Sequence, residues 1–243
     1  MKQTRFIMGM PITIEIISCQ DKKLFKKVFN FFRDVDNRFS PYKKNSEVTQ
    51  INQGLIKPAD FSPEMKHIIS LAKKTTQQTA GFFDIYNNEV LDPSGLVKGW
   101  AILEASSIIK NDGYPNFYIE AGGDIQSSGT NKKGERWKIG IRNPFNPTEI
   151  VKVVKIGSEG VATSGSYEKG AHIYNPKGEM SDDVLSLTVI GKNIYEADRF
   201  ATAAFAMGQK GIEFIDQTPG LEGYAIRKDG IAFSTRNFEY FVN

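Results

Sequence analysis

Between Glu196 and Gly208 the chain reads Glu-Ala-Asp-Arg-Phe-Ala-Thr-Ala-Ala-Phe-Ala-Met-Gly, and no other stretch constrains the fold as strongly. Ala197, Ala201 and Ala204 recur at three- and four-residue steps, so on a helix they form a smooth stripe that lets the backbone lie close to its neighbour. The same helix places Asp198 and Thr202 one turn apart on one face. A carboxylate and a hydroxyl so arranged are two hard oxygen ligands suited to Mg²⁺, which completes its shell with water and substrate phosphates. A second reading stays open at this point: a carboxylate near a helix start is favoured by the helix dipole, and the threonine can simply pack.

A chain of 243 residues can bury a large core. Its net charge of +3 and the absence of like-charge runs longer than lysine pairs argue against nucleic acid as a partner and suit a small anion equally well. Cys19 is the only cysteine, which excludes an intrachain disulfide and a thiolate metal cluster, and its apolar neighbours Ile16 and Ile17 mark a buried structural thiol. No stretch reaches the roughly 18 to 20 apolar residues of a membrane span, and Met1 to Ile16 holds no apolar leader or lipid-attachment cysteine, so a cytoplasmic location is expected.

Taken in order, Phe6 to Ile17 alternates as one strand bent at Gly9 and Pro11. Asp21 caps a helix whose apolar positions Leu24, Phe25, Val28, Phe29, Phe32 and Val35 carry it to about Phe39. Ser46 opens a short helix, and Ser62-Pro63 opens another that runs to about Thr79. Gly81 to Ile85 reads as a turn and strand, Asp92 to Gly95 as a loop, and Lys98 as the start of a helix that ends at Asp112-Gly113. Strands follow at Phe117 to Ile125, Trp137 to Arg142, Glu149 to Ile156, Gly160 to Gly165, Ala171 to Tyr174 and Leu185 to Ile190. After the small-residue helix come a short helix, Gly211 to Ile215, and a hairpin across Lys228-Asp229-Gly230. Helices fill the first half and antiparallel-looking strands the second, which predicts an α+β fold; with no repeat and no long linker, residues 1–243 read as one domain.

Three glycine-bracketed polar clusters fall at element ends: Asp92 to Gly99, Glu120 to Asp124, and Thr163 to Gly165. Glycine lets backbone N–H groups approach a phosphate, although each cluster also reads as an ordinary turn, and neither a Walker nor a dinucleotide fingerprint is present. Lys98 at a helix start could meet a phosphate, where the dipole also favours anions. His172 could be a general base or a structural histidine; His67, on a polar-patterned helix, reads as surface.

Together these clusters resemble the ApbE family, the FAD:protein FMN transferases. The likeness is carried by Met8-Gly-Met-Pro11, Arg38-Phe-Ser-Pro-Tyr42 with Ser46, Gly81-Phe-Phe-Asp84, Gly95-Leu-Val-Lys-Gly99, Ala121-Gly-Gly-Asp124, Trp137-Lys-Ile-Gly-Ile141, Thr163-Ser-Gly165, His172-Ile-Tyr-Asn-Pro176, and Ala197-Asp198 with Ala201-Thr202-Ala203. The resemblance implies a T-fold-like α+β architecture with antiparallel sheets. It also implies Mg²⁺-dependent transfer of the FMN half of FAD to a Thr or Ser hydroxyl of an acceptor flavoprotein, with release of AMP. An FAD pyrophosphatase and a non-catalytic flavin-binding protein are the alternatives. By similarity, Asp198, Thr202 and the carbonyl of Ala121 hold the metal. Lys98, Glu120, Gly122, Gly123, Asp124, Thr163, Ser164 and Gly165 lie on the FAD, with Met8 and Tyr42 near its rings. His172 is the expected base, with Asp198 able to substitute.

The chain departs from the family pattern where Asp84 and Lys98 stand only fourteen apart, where Leu103 replaces a common aspartate, and at Glu120 and Asn175-Pro-Lys-Gly178. These departures fall on the flavin and acceptor side rather than the metal side.

Overall fold

The computed structural model describes residues 1–165, 178 and 183–242. The strand expected over Ala171 to Tyr174, and His172 with it, lie outside the described residues.

The N-terminal segment is a hairpin rather than one bent strand. β1 (Lys2–Ile7) pairs antiparallel with β2 (Met10–Ile16) around a turn in which Met8 and Gly9 both take positive φ, 56° and 72°. Two residues with positive φ reverse the chain, so the pattern that reads as a bend closes into a turn. α1 (Lys22–Phe39) begins where Asp21 accepts the Lys23 N–H, and buries Leu24, Phe25, Val28, Phe29, Phe32, Val35 and Phe39 on one face. α2 (Glu47–Asn52) and α3 (Pro63–Gln78) start at the serine caps expected of them.

No strand forms over Gly81 to Ile85. A small hairpin follows instead, β3 (Tyr86–Asn87) with β4 (Val90–Leu91), turned by Asn88 and Glu89 at positive φ. α4 (Ser94–Asn111) then begins four residues before Lys98, because the Asp92 carboxylate accepts the Ser94 N–H at 3.0 Å and starts the first turn there. Lys98 therefore sits one turn inside the helix. The apolar run from Phe117 is likewise two strands, β5 (Phe117–Ala121) and β6 (Asp124–Ser128), folded back at Gly122-Gly123, whose φ values of 57° and 90° suit the two-residue hairpin loop.

β7 (Trp137–Arg142) and β8 (Ile150–Ile156) form a separate hairpin. β9 (Gly160–Gly165) and β10 (Val184–Gly191) precede α5 (Ile194–Ala206) and α6 (Gln209–Gln217), and β11 (Leu221–Arg227) pairs with β12 (Ala232–Ser234) across the expected turn. Among the described residues eight strands make one antiparallel sheet in the order β1-β2-β5-β6-β9-β10-β11-β12. Strand alternation divides the core between its faces. Ile14, Ile119, Ala162 and Leu187 pack with α1, α3, α4 and α5, whereas Ile125, Val161 and Ile190 pack with Trp137, Ile139 and Val154 of the β7–β8 hairpin. This is the α+β architecture that the element order predicts. Cys19 is buried, as expected, and His67 is exposed.

α5 lies close to its neighbours because small residues meet there. Its start is fixed twice: Asn193 accepts the Glu196 N–H, and the buried Gln126 Oε1 accepts the Ile194 N–H at 2.8 Å. A side chain on Gly160 would fall 2.0 Å from the Ile194 nitrogen, and one on Gly211 would fall 1.9 Å from the Ala204 carbonyl oxygen. On another face of α5 the buried Arg199 bonds Glu196, Gln78 Oε1 (2.7 Å) and Thr75 Oγ1 (3.2 Å), with its guanidinium 4.0 Å from the centre of the Phe200 ring. It ties the helix to α3. Arg199→Met keeps most of the aliphatic bulk but takes the donor from Gln78 Oε1 and the closest cation from Glu196, so it is expected to cost about 3 kcal/mol, the lower end for a broken buried pair because Lys192 still faces Glu196 and Thr75 keeps its bond to the Leu71 carbonyl. Urea unfolding measures this; a loss under 1 kcal/mol would show the pairing to be marginal.

Candidate active site

Sheet order brings two turns and a strand end together. Ile12 stands opposite Ala121, Ala121 opposite Asp124, and Ile125 opposite Val161, so the Met8-Gly9 turn, the Gly122-Gly123 turn and the end of β9 at Thr163 to Gly165 are neighbours. The Gly122 N–H donates to the Pro11 carbonyl at 3.3 Å, and a Cβ on Gly122 would press to 2.9 Å from Met10 Sδ. Met8 holds positive φ without being glycine, a conformation that costs of order 1 kcal/mol or more and persists where its surroundings fix it.

Against this end lie the start of α4 and the middle of α5. A Cβ on Gly95 would sit 3.5 Å from Thr202 Cγ2 and 4.0 Å from its Oγ1, and one on Gly99 would come within 2.7 Å of Asp198 Cβ. Glycine at both places lets α4 rest directly on the Asp198/Thr202 face of α5. The Gly99 N–H then donates to Asp198 Oδ2 at 2.8 Å. Lys98 Nζ lies 2.6 Å from Asp124 Oδ2 and 3.4 Å from Asp198 Oδ1. Asp124 also accepts the Thr163 N–H on Oδ1 at 3.2 Å, while its Oδ2, for all its closeness to Lys98, has no well-aligned hydrogen-bond donor among the described residues.

Both carboxylates are almost inaccessible, Asp124 at 1% and Asp198 at 3%. Burial, reinforced by the charge of Asp124 and opposed by Lys98 and the Gly99 N–H, pushes the Asp198 carboxyl up to about 7. For Lys98 burial works the other way, but Asp124 and Asp198 outweigh it and hold the ammonium above its ordinary range. The cluster is thus short of positive charge around Asp198. That is the setting a divalent cation would relieve.

The donor set fits such an ion. Asp198 Oδ1 and the half-buried Thr202 hydroxyl belong to one face of α5, and Ala121 closes the hairpin opposite Asp124. Among the described residues no three His, Cys, Asp or Glu side chains are gathered, so a metal here would depend on a hydroxyl, a backbone carbonyl and oxygens of the substrate, the habit of Mg²⁺.

Other expected site residues are placed less directly. Thr163 meets the cluster with its backbone only; its hydroxyl, on the opposite sheet face, is held 2.8 Å from that of the fully buried Thr188. Ser164 faces the helices and is buried, and Gly165 ends the described part of the strand. Glu120 alternates away from Ala121 and pairs with Tyr118, whose ring stacks on Trp137; burial first, then Glu120, raises the Tyr118 hydroxyl above its ordinary range. It does not share the face of Lys98. Tyr42 stands 91% exposed in the loop after α1. Sequence reasoning passed over Thr188, whose only signal is a lone hydroxyl within the apolar run Leu187 to Ile190, and the Gly99 N–H, which no side-chain pattern reveals.

The helices and the antiparallel sheet that carry this cluster define the class, an α+β protein with a single large antiparallel sheet among the described residues. The structure superposes on the flavin transferase ApbE from Vibrio cholerae with a TM-score of 0.87 at 21% identity, covering 99% of this chain and 98% of that one. For the ApbE protein from Thermotoga maritima the TM-score is 0.87 at 20% identity, over 100% and 99% of the two chains. The chain belongs to the ApbE family, whose model matches residues 8–91 and 86–225. Among curated relatives, the FAD:protein FMN transferase of Salmonella typhimurium is 26% identical over 156 residues, 60% of this chain and 45% of the relative. The chain thus matches less than half the length of that relative. The enzyme of the same name from Haemophilus influenzae is 21% identical over 291 residues, 93% of this chain and 84% of the relative.

Proposed function

We propose that the protein transfers the FMN half of FAD to a Thr or Ser hydroxyl of an acceptor flavoprotein and releases AMP. The observation that carries this reading is the buried Lys98–Asp124–Asp198 cluster set against two glycine-bearing turns and the end of β9 at one end of the sheet. The name shared by the relatives supports it.

In the reaction an acceptor oxygen forms a bond to the FMN phosphorus as the bridging P–O bond breaks, and AMP departs with the electrons of that bond. Such a step asks the protein mainly to position groups and balance charge. Asp198, Thr202 and the Ala121 carbonyl would hold Mg²⁺, which when bound neutralises charge on the pyrophosphate. Lys98 supplies the cluster's own positive charge, and the Gly122-Gly123 turn, free of side chains, gives the diphosphate room to approach the backbone. Met8 and Tyr42 border the flavin rings, and Ser164 and Gly165 line the remaining wall.

The proton lost by the acceptor hydroxyl goes to His172, whose ordinary pKa lies near neutrality. His172→Asn is expected to slow transfer by roughly 10²–10⁴-fold, as removal of a general base does. A rate within a few-fold of the unsubstituted protein removes His172 from the mechanism and leaves Asp198 as the acceptor of the proton.

Incubation of an acceptor flavoprotein with the chain, FAD and Mg²⁺ tests the whole reading. Mass spectrometry should find the mass of FMN added on a Thr or Ser. Free FMN without labelled protein would make the chain an FAD pyrophosphatase, and intact FAD after long incubation would make it a flavin-binding protein.

A further inference from the structure

We propose that Lys98 is an internal counter-cation for the metal position: its ammonium faces both Asp124 and Asp198, and a metal bound there would take Asp198 while Asp124 keeps the ammonium. The inference rests on reading Asp198 as a metal ligand.

Two buried carboxylates face one ammonium, and among the described residues Lys98 makes the ion pairs of both. A buried carboxylate without a cation is costly, so the fold needs Lys98 whenever no metal is present. The two contacts are unequal. Asp124 Oδ2 is 2.6 Å from Nζ, the closer of the two contacts, and no other donor reaches it among the described residues. Asp198 Oδ1 lies at 3.4 Å, beyond the usual hydrogen-bond distance, and is the oxygen the exchange releases.

The remaining oxygens stay fixed. Asp198 Oδ2 holds the Gly99 N–H, and Asp124 Oδ1 holds the Thr163 N–H. Neither helix has to move, because the lysine stem is flexible and its head carries three donors. Asp124 therefore acts on the metal through Lys98: it draws the ammonium away from Asp198.

The full chain, without FAD, is titrated with Mg²⁺ by calorimetry and with Mn²⁺ by electron paramagnetic resonance. Asp124→Asn leaves Lys98 to Asp198 alone and is expected to weaken metal binding on the order of tenfold. Lys98→Met removes the competitor and is expected to tighten binding by a similar factor; Lys98→Gln replaces it if the methionine variant does not fold. In the Lys98 variant, adding Asp124→Asn should change the affinity less than about twofold, because the two residues act as one unit. An Asp124→Asn effect of the same size with and without Lys98 would show that Asp124 acts by its own charge and would overturn the proposal. So would weaker binding in the Lys98 variants, or an unchanged affinity in Asp124→Asn alone. No metal binding in the unsubstituted chain would overturn the metal reading itself, and this inference with it.

Discussion

Asp198→Ala and Thr202→Ala are each expected to abolish FMN transfer while the protein stays folded. The two side chains occupy one face of α5, one turn apart, where Gly95 and Gly99 of α4 leave room beside them. A metal-bound pyrophosphate is stabilised by several kcal/mol, so losing a ligand should lower the rate about 10³-fold or more. Chelation of divalent ions should do the same to the unsubstituted chain. Among the described residues Thr202 is half-exposed and pairs with no charged group, so its truncation separates the metal role from fold stability more cleanly than Asp198→Ala, which takes one of two carboxylates from Lys98 and the acceptor from the Gly99 N–H. Circular dichroism and thermal melting establish that both variants are folded. Full activity in both would remove the metal site from the mechanism.

The largest effect on folding is expected at Gly160. Its position opens β9, opposite Gly191 on one side and Gln126 on the other, inside the eight-stranded sheet. An added Cβ would lie 2.0 Å from the Ile194 nitrogen and 2.3 Å from the Asn193 carbonyl carbon. These are backbone atoms at the capped start of α5, so no side chain can swing aside. Gly160→Ala should therefore cost at least about 4 kcal/mol, more than overpacking a yielding core, and should leave little soluble folded protein. Gly134→Ala is the comparison: its φ is +76° but nothing stands within 4 Å, so its penalty should stay near 1 kcal/mol. Urea unfolding of the two variants measures the difference, and equal losses would mean that α5 can shift off the sheet.

The parts of the fold legible in the sequence are those with a local cause. Apolar spacing at Leu24, Phe25, Val28 and Phe29, caps at Asp21, Ser46 and Ser62, and alternation over Trp137 to Arg142 each act within a few residues, and the corresponding elements formed where expected. Turns made by φ alone were harder to read. In the sequence Gly9 and Pro11 read as a bend and Gly122-Gly123 as the end of a strand, because whether a strand stops or returns depends on the partner waiting for it.

The site divided in the same way. Asp198 and Thr202 are visible as a pair at helical spacing, yet the Gly99 N–H takes part through a contact 99 residues apart, which no local pattern records. Lys98 was expected at a helix start and lies a turn further in, where it meets carboxylates from β6 and α5 instead of the open end of the helix.

The 99-residue separation between Gly99 and Asp198 has a kinetic side. A chain emerging from the ribosome up to β9 holds Lys98 and Asp124 but not α5, so one carboxylate and the threonine are missing until late in synthesis. Contacts of such long range form after the local ones in folding. On the proposed function, divalent ion and FAD should therefore engage only the protein with α5 in place, and their binding would pull the last folding step forward without rescuing earlier intermediates.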